Sequence, residues 1–199
     1  MQTFLVCILG LILLLSGCND KKDQISLNEI KSFKENAVVF VPDTFEYDRI
    51  PFPKIDSVLF NKYFSSIFEL KDYTEHTSAV FVYSKNDLPY EMKGITLMVQ
   101  DDMFMKQYYL LVMNKENNII NRYLVAYSSI DEEWYDITST TITNDSIFKT
   151  NKVSCEILSQ TNVENYCSCD SSVIIMIMKP SGQLVKNQEY KYNYKRRYN

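Results

Sequence analysis

The chain has 199 residues, a formal net charge of −4 and 46% hydrophobic residues. That length suits one domain with a core large enough to fold without a structural metal. Mild acidity argues against nucleic acid as a partner, which calls for a basic surface, and 15 Tyr and 11 Phe against 4 Gly favour strands over disorder.

The first element is Phe4 to Cys18, FLVCILGLILLLSGC. Phe4 to Leu15 is apolar apart from Gly10. It is too short for a bilayer-spanning helix, which needs about 20 residues, and has the length of a signal h-region. Ser16 and Gly17 supply small residues that a signal peptidase admits. The tetrapeptide Leu15-Ser16-Gly17-Cys18 resembles the lipobox of bacterial lipoproteins. The resemblance implies that residues 1–17 are removed and that Cys18 is acylated. Several acyl chains would hold the protein firmly to a membrane, because each buried CH₂ contributes about 0.8 kcal/mol. In that family an Asp directly after the cysteine resembles an inner-membrane retention signal. Asn19 holds that place here, so the resemblance implies the outer membrane of a bacterial envelope. It covers the signal and the cysteine alone.

Asn19 to Gln24 is polar throughout and too hydrophilic to join a core, so residues 18–25 read as a solvated tether. Residues 26–199 are expected to form a single β-rich globular domain. Within it, Leu27 to Phe33 predicts a short helix with Leu27, Ile30 and Phe33 on one face. Ala37 to Val41 predicts a strand stopped by Pro42, and Pro51 and Pro53 mark an irregular crossing. Asp56 is a good N-cap for a helix through about Leu70, with Leu59, Phe60, Tyr63, Phe64, Ile67 and Phe68 along one face. That aromatic stripe reads as the packing face of a helix on a sheet.

From Ser78 onward the pattern is a run of strands: Ala79–Tyr83, Ile95–Gln100, Gln107–Met113, Ile119–Tyr127, Tyr135–Thr143, Ile147–Leu158, Asn165–Met178 and Gln183–Tyr194. Turn chemistry separates them at Asn86 to Pro89, Asn114 to Asn118, Asn144-Asp145 and Pro180-Ser181-Gly182. Short connections imply antiparallel neighbours, since parallel pairing needs a long crossover. The fold class is therefore mainly β: an antiparallel meander sheet or open barrel of about 7–8 strands with one or two N-terminal helices covering one side. Tyr108–Met113 and Val173–Met178 are apolar at every position and predict strands covered on both faces, whereas Ile137–Thr143, half threonine, predicts a wet face.

Chemistry is sparse. His76 is the one histidine, and a zinc site built on His needs more than one, or several Cys nearby. Asp101-Asp102 and Asp131-Glu132-Glu133 lack the ligand spacing and turn glycine of a calcium loop, so they read as solvated loops. The dinucleotide, phosphate-loop, nucleophile-elbow and zinc-protease motifs are absent from the sequence. No cofactor or metal is expected. If Gln160 to Val163 form a hairpin turn, Cys155 lies opposite Cys167, with Cys169 as its diagonal neighbour. A Cys155–Cys167 disulfide is then the first pairing and Cys155–Cys169 the second, leaving one thiol over. At the C-terminus, Tyr190, Tyr192 and Tyr194 share one face of a strand and Lys191, Asn193 and Lys195 the other, with Arg196 and Arg197 following. The plain reading is a closing strand whose charged face blunts a sheet edge. The sharper one is a tyrosine platform for a sugar or peptide.

Three function classes follow, in this order. The first is a non-enzymatic binding or accessory lipoprotein, anchored by its lipid, that presents a sheet surface to a glycan, peptide or protein partner. The second is an immunity or inhibitor lipoprotein that neutralises a toxin or hydrolase at the envelope. The third is an envelope hydrolase.

Overall fold

The computed structural model describes residues 26–42, 50–65, 79–100, 105–130, 134–143, 146–160 and 165–198. They form a ten-stranded, mostly antiparallel sheet that does not close into a barrel. Eight long strands run as a meander in sequence order: β3 (Ala79–Leu88), β4 (Met92–Gln100), β5 (Lys106–Met113), β6 (Ile119–Ile130), β7 (Trp134–Thr143), β8 (Ile147–Gln160), β9 (Asn165–Met178) and β10 (Leu184–Tyr198). Seven lie where alternation and turn residues predict them, within a few residues at either end, while β3 runs on to Leu88 through Asn86 and Asp87, which were expected to turn. Two short strands complete the sheet. β1 (Lys34–Glu35) pairs parallel with β3, and β2 (Val39–Phe40) pairs with β7.

The first N-terminal helix is shorter than expected. Leu27–Glu29 is a single 3₁₀ turn, and the chain then extends along β3. α1 spans Ser57–Tyr63, capped as predicted by Asp56, whose Oδ1 accepts from the Leu59 amide at 2.8 Å. The predicted continuation to Leu70 lies outside the described residues from 66 onward. Phe60, Tyr63 and Phe64 pack against Val80, Val82, Ile95, Leu97 and Leu111 on one face of β3–β5. The other face of the same strands carries Phe81, Tyr83, Met98, Tyr108, Leu110 and Val112 in the main core. β5 is thus covered on both sides, as its unbroken apolar run predicts, with Tyr108 and Leu110 to Met113 all fully buried.

The sheet bends between β6 and β7. Only Tyr127 to Ile130 pair with β7, while β6 stays paired with β5 from Ile119 to Ser128. Beyond the split, β2 takes over the vacated edge of β7 at Thr140 and Thr141. The bend folds β7–β9 over the inner face of β3–β5, so that Ile142, Phe148 and Met178 join the main core. The β9–β10 turn then docks on β6: the Tyr123 hydroxyl donates to the Gly182 carbonyl at 3.1 Å and accepts from the Leu184 amide at 2.8 Å.

Of two expectations about exposure, one holds and one needs correction. Ile137–Thr143 has the wet face predicted, with Ile137 and Thr143 exposed and Ser139 and Thr141 half-buried. Its other face turns inward: Thr138 and Thr140 are buried, and the Thr140 hydroxyl lies 2.9 Å from that of Thr150. Val173 to Ile177 on β9 are half-buried, not enclosed: α1 packs over β3–β5, and among the described residues no helix covers the outer side of β9.

Candidate functional site

The two edges of the sheet are treated differently. The outer edge of β3 is covered by the N-terminal chain. The Phe33 amide bonds the Val82 carbonyl, the Ile55 amide bonds the Val80 carbonyl, and the Pro53 carbonyl accepts from the Val82 amide. The opposite edge is β10, 15 residues long, and among the described residues no strand pairs with its outer side. A long bare edge presents a row of backbone donors and acceptors to a further strand.

Register places the side chains of this arm in rows. On the outer face, Ile137, Val153, Ser171 and Tyr192 form one row across β7–β10, and Asn151, Val173 and Tyr190 lie beside it. Tyr190, Tyr192 and Tyr194 are 46%, 52% and 40% exposed, whereas Tyr83 and Tyr108 are core residues. With Ile137 and Val185, also partly exposed, they make an aromatic and aliphatic surface at the open edge. The same rows on the inner face are polar: Asp136, Ser154, Asp170 and Asn193, then Thr138, Lys152, Ser172 and Lys191. They line an open trough of about 610 Å³ that continues from the apolar core. Asn193 donates to the Asp170 carboxylate at 2.5 Å. At its rim, a hydrogen bond from Lys186 holds the Glu189 carboxyl below the usual carboxylate range. Lys93 and Lys115 do the same for Asp87 and Glu91, so these three carboxylates are paired anions.

β10 carries five basic residues (Lys186, Lys191, Lys195, Arg196 and Arg197) against one acid, Glu189, in a chain whose net charge is −4. The basic charge is concentrated on the bare edge.

The cysteines lie at the far end of the outer face. The disulfide joins Cys155 to Cys169, with Cα atoms 4.1 Å apart, and Cys167, the first partner expected, is a buried thiol. The reason is register. Gln160 pairs with Asn165, so the turn begins one residue later than expected, and a bulge between Ile157 and Ser159 shifts the ladder again. Together they set Cys155 opposite Cys169 and Cys167 opposite Ile157. Tyr135 and Arg196 close over the group. The Tyr135 hydroxyl is 4.0 Å from Cys169 Sγ, and the Arg196 guanidinium sits 5.0 Å over the Tyr135 ring. Burial pushes the Tyr135 hydroxyl up, and Arg196 beside it pulls the other way.

Cys18, His76, Asp101-Asp102 and Asp131 to Glu133 lie outside the described residues. The platform tyrosines are where alternation places them. The edge position of β10 is that of the closing strand expected. The trough and the Tyr135–Arg196 cover were missed: both depend on which strands are neighbours, and the one local signal for them was the length of β8–β10 beyond their apolar runs. Comparison with family models, with curated proteins and with solved structures gives no match to this chain.

Proposed function

We propose that this chain is an envelope lipoprotein, anchored in the outer membrane through acyl groups on Cys18, that acts without catalysis as a binding module. Its partner would be a protein carrying an extended acidic segment, which adds as a strand along β10. The observation that carries the reading is the combination on β10: a bare edge, three exposed tyrosines in a row, and a surplus of four positive charges. Main-chain hydrogen bonds along an edge give affinity, alternate side chains give specificity, and opposite charge steers the encounter. Tyrosine adds large contact area at low entropic cost. A second copy of β10 fits less well, because like charges would face one another across the new ladder.

The anchor is tested by comparing wild type with Cys18→Ala. Wild type should fractionate with membranes and gain the mass of acyl groups, and the variant should do neither. A wild-type chain that stays soluble at its unmodified mass sinks the anchored reading.

The binding role is tested with full-length protein in detergent against three probes: a synthetic extended peptide alternating Glu with Val or Thr, its Lys counterpart, and purified cell-wall sacculi. The acidic peptide should bind and the basic one should not. Tyr190→Ala/Tyr192→Ala/Tyr194→Ala and Lys191→Glu/Lys195→Glu should each weaken binding by at least roughly tenfold, a loss of about 1.4 kcal/mol. Thermal stability should hardly change, since exposed substitutions shift it by about 0.5 kcal/mol or less. Retention by sacculi alone, lost in the tyrosine variant, would replace the peptide partner with a glycan. Equal binding of both peptides by wild type and variants would overturn the β10 site. A turnover abolished by one carboxylate or cysteine substitution would overturn the non-enzymatic reading.

A further inference from the structure

Next to Tyr194, at the end of the platform, three sulfur atoms meet inside the outer face. Cys155, Cys167 and Cys169 have their Sγ atoms all within 4.8 Å of one another, and each residue is at most 1% exposed. The sequence explains the triangle. Cys167 and Cys169 are two apart on β9 and share a face, and Cys155 comes from β8 directly opposite Cys169. One sulfur is left outside the disulfide, 3.8 Å from Cys169 Sγ.

We propose that, once the disulfide is reduced, Cys155, Cys167 and Cys169 form a three-thiolate site for a soft monovalent metal ion, Cu(I).

Three geometric points carry this. First, thiolates bound to one metal at about 2.3 Å stand roughly 3.8–4.0 Å from each other, and Cys167 and Cys169 already have that separation. Second, the arrangement is a triangle and not a line. For Cys167 to displace Cys155 from Cys169 in line, its sulfur would stand roughly 5.8 Å from Cys155 Sγ, the sum of the contact and an ordinary S–S bond. It stands no more than 4.8 Å away, so the third thiol is placed beside the disulfide and not behind it. Third, the donor set is all sulfur. Thiolates select soft ions, and three donors suit Cu(I) better than zinc, whose structural sites take four.

The surroundings fit the charge. Three thiolates around Cu(I) leave a net of two negative charges. The Arg196 guanidinium stands 5.0 Å over the Tyr135 ring, which lies against the sulfurs. The Cys167 thiol donates to the Arg196 carbonyl at 3.7 Å. Arg196 is exposed and lies on the edge strand, so its side chain is the movable part of the cover.

The chemistry balances as follows. A dithiol gives two electrons and two protons to the Cys155–Cys169 bond, becomes a disulfide itself, and leaves three thiols in the protein. Cu(I) then forms three Cu–S bonds and releases three protons. Disulfide and metal exclude one another, so the site opens only when reduced.

The test uses the full chain in detergent with Cys7→Ser and Cys18→Ser, so that only these three thiols report. The protein is reduced anaerobically with dithiothreitol and desalted. Cu(I) is then offered in competition with a coloured Cu(I) chelator. The reduced chain should withdraw one equivalent of Cu(I) and the oxidised chain none, and Cys167→Ser should lower the reduced chain's affinity at least tenfold. Cys167→Ser leaves the disulfide partners in place, and its oxidised fold is checked by circular dichroism. Equal withdrawal by oxidised and reduced protein, or by reduced protein with and without Cys167, overturns the proposal. Loss of the strand signal on reduction also overturns it, since the sulfurs would no longer be held together.

Discussion

Gly182 shows how much of the bend rests on one position. It sits in the β9–β10 turn with φ of 74°, in the left-handed region that side chains rarely adopt. Space is short as well: a Cβ there would lie 2.6 Å from Ile120 Cδ1 and 3.1 Å from Met92 Sδ. The turn is held to β6 by two bonds at the Tyr123 hydroxyl, so it has little freedom to move away. Gly182→Ala should therefore cost about 1–3 kcal/mol, the range for a side chain forced into a sparsely populated backbone region. Urea unfolding of wild type and variant checks it. A change below about 0.5 kcal/mol would mean that the turn relaxes freely and does not pin β10 to β6.

Among the strands and helices, what the sequence made legible was local. The eight long strands announce themselves by alternation and by turn residues such as Asn114, whose Oδ1 accepts from the amides of Glu116 and Asn118. Asp56 announces α1 because a capping carboxylate acts within three residues of itself. What stayed illegible depended on distant chain. β1 is two residues long and is a strand only because β3 offers an edge; β2 lies within the predicted run Ala37 to Val41, but only the distant chain decides that the far half of β7 is its partner. β7 has the wet face that its composition predicts. Which threonines turn inward was not legible: Thr138 and Thr140 do so because the sheet bends, and no local pattern encodes a bend produced by four shared pairs between β6 and β7. The cysteine pairing turned on where the hairpin turns. The turn lies later than expected, and the extra residue at Leu158 then sets Cys155 opposite Cys169 in place of Asp170; nothing in the run from Ser154 to Gln160 marks either shift. The binding face was more legible: alternation finds the row Tyr190, Tyr192, Tyr194 on a closing strand, and topology adds that among the described residues no strand pairs with its outer side.

The two arms, β3–β6 and β7–β10, share few ladder bonds, so side-chain packing has to hold them together. Tyr127 to Ile130 supply the backbone pairs, the Tyr123 hydroxyl and the β2–β7 pairing add a few bonds, and the largest remaining link is the core where β7–β9 lie over β3–β5. Phe148 is the largest residue that β8 contributes to it, and it is fully buried. Removing its ring would leave a cavity at the seam instead of inside one arm. Phe148→Ala should cost about 3–5 kcal/mol, as large-to-small changes in cores do, and the loss should fall unevenly. Amides of β8 and β9 near Phe148 should exchange with solvent faster through opening of the β7–β10 arm, while those of β4 and β5, held between α1 and the core, should keep more of their protection. Tyr192→Ala is the control, because its side chain leaves the opposite face of the same arm and is half exposed. It should leave both the unfolding midpoint and the exchange pattern nearly unchanged. Hydrogen exchange read by mass spectrometry on the three proteins distinguishes the outcomes. A uniform loss of protection across both arms in Phe148→Ala would mean that the sheet opens as one unit, with the bend between β6 and β7 no weaker than any other pairing.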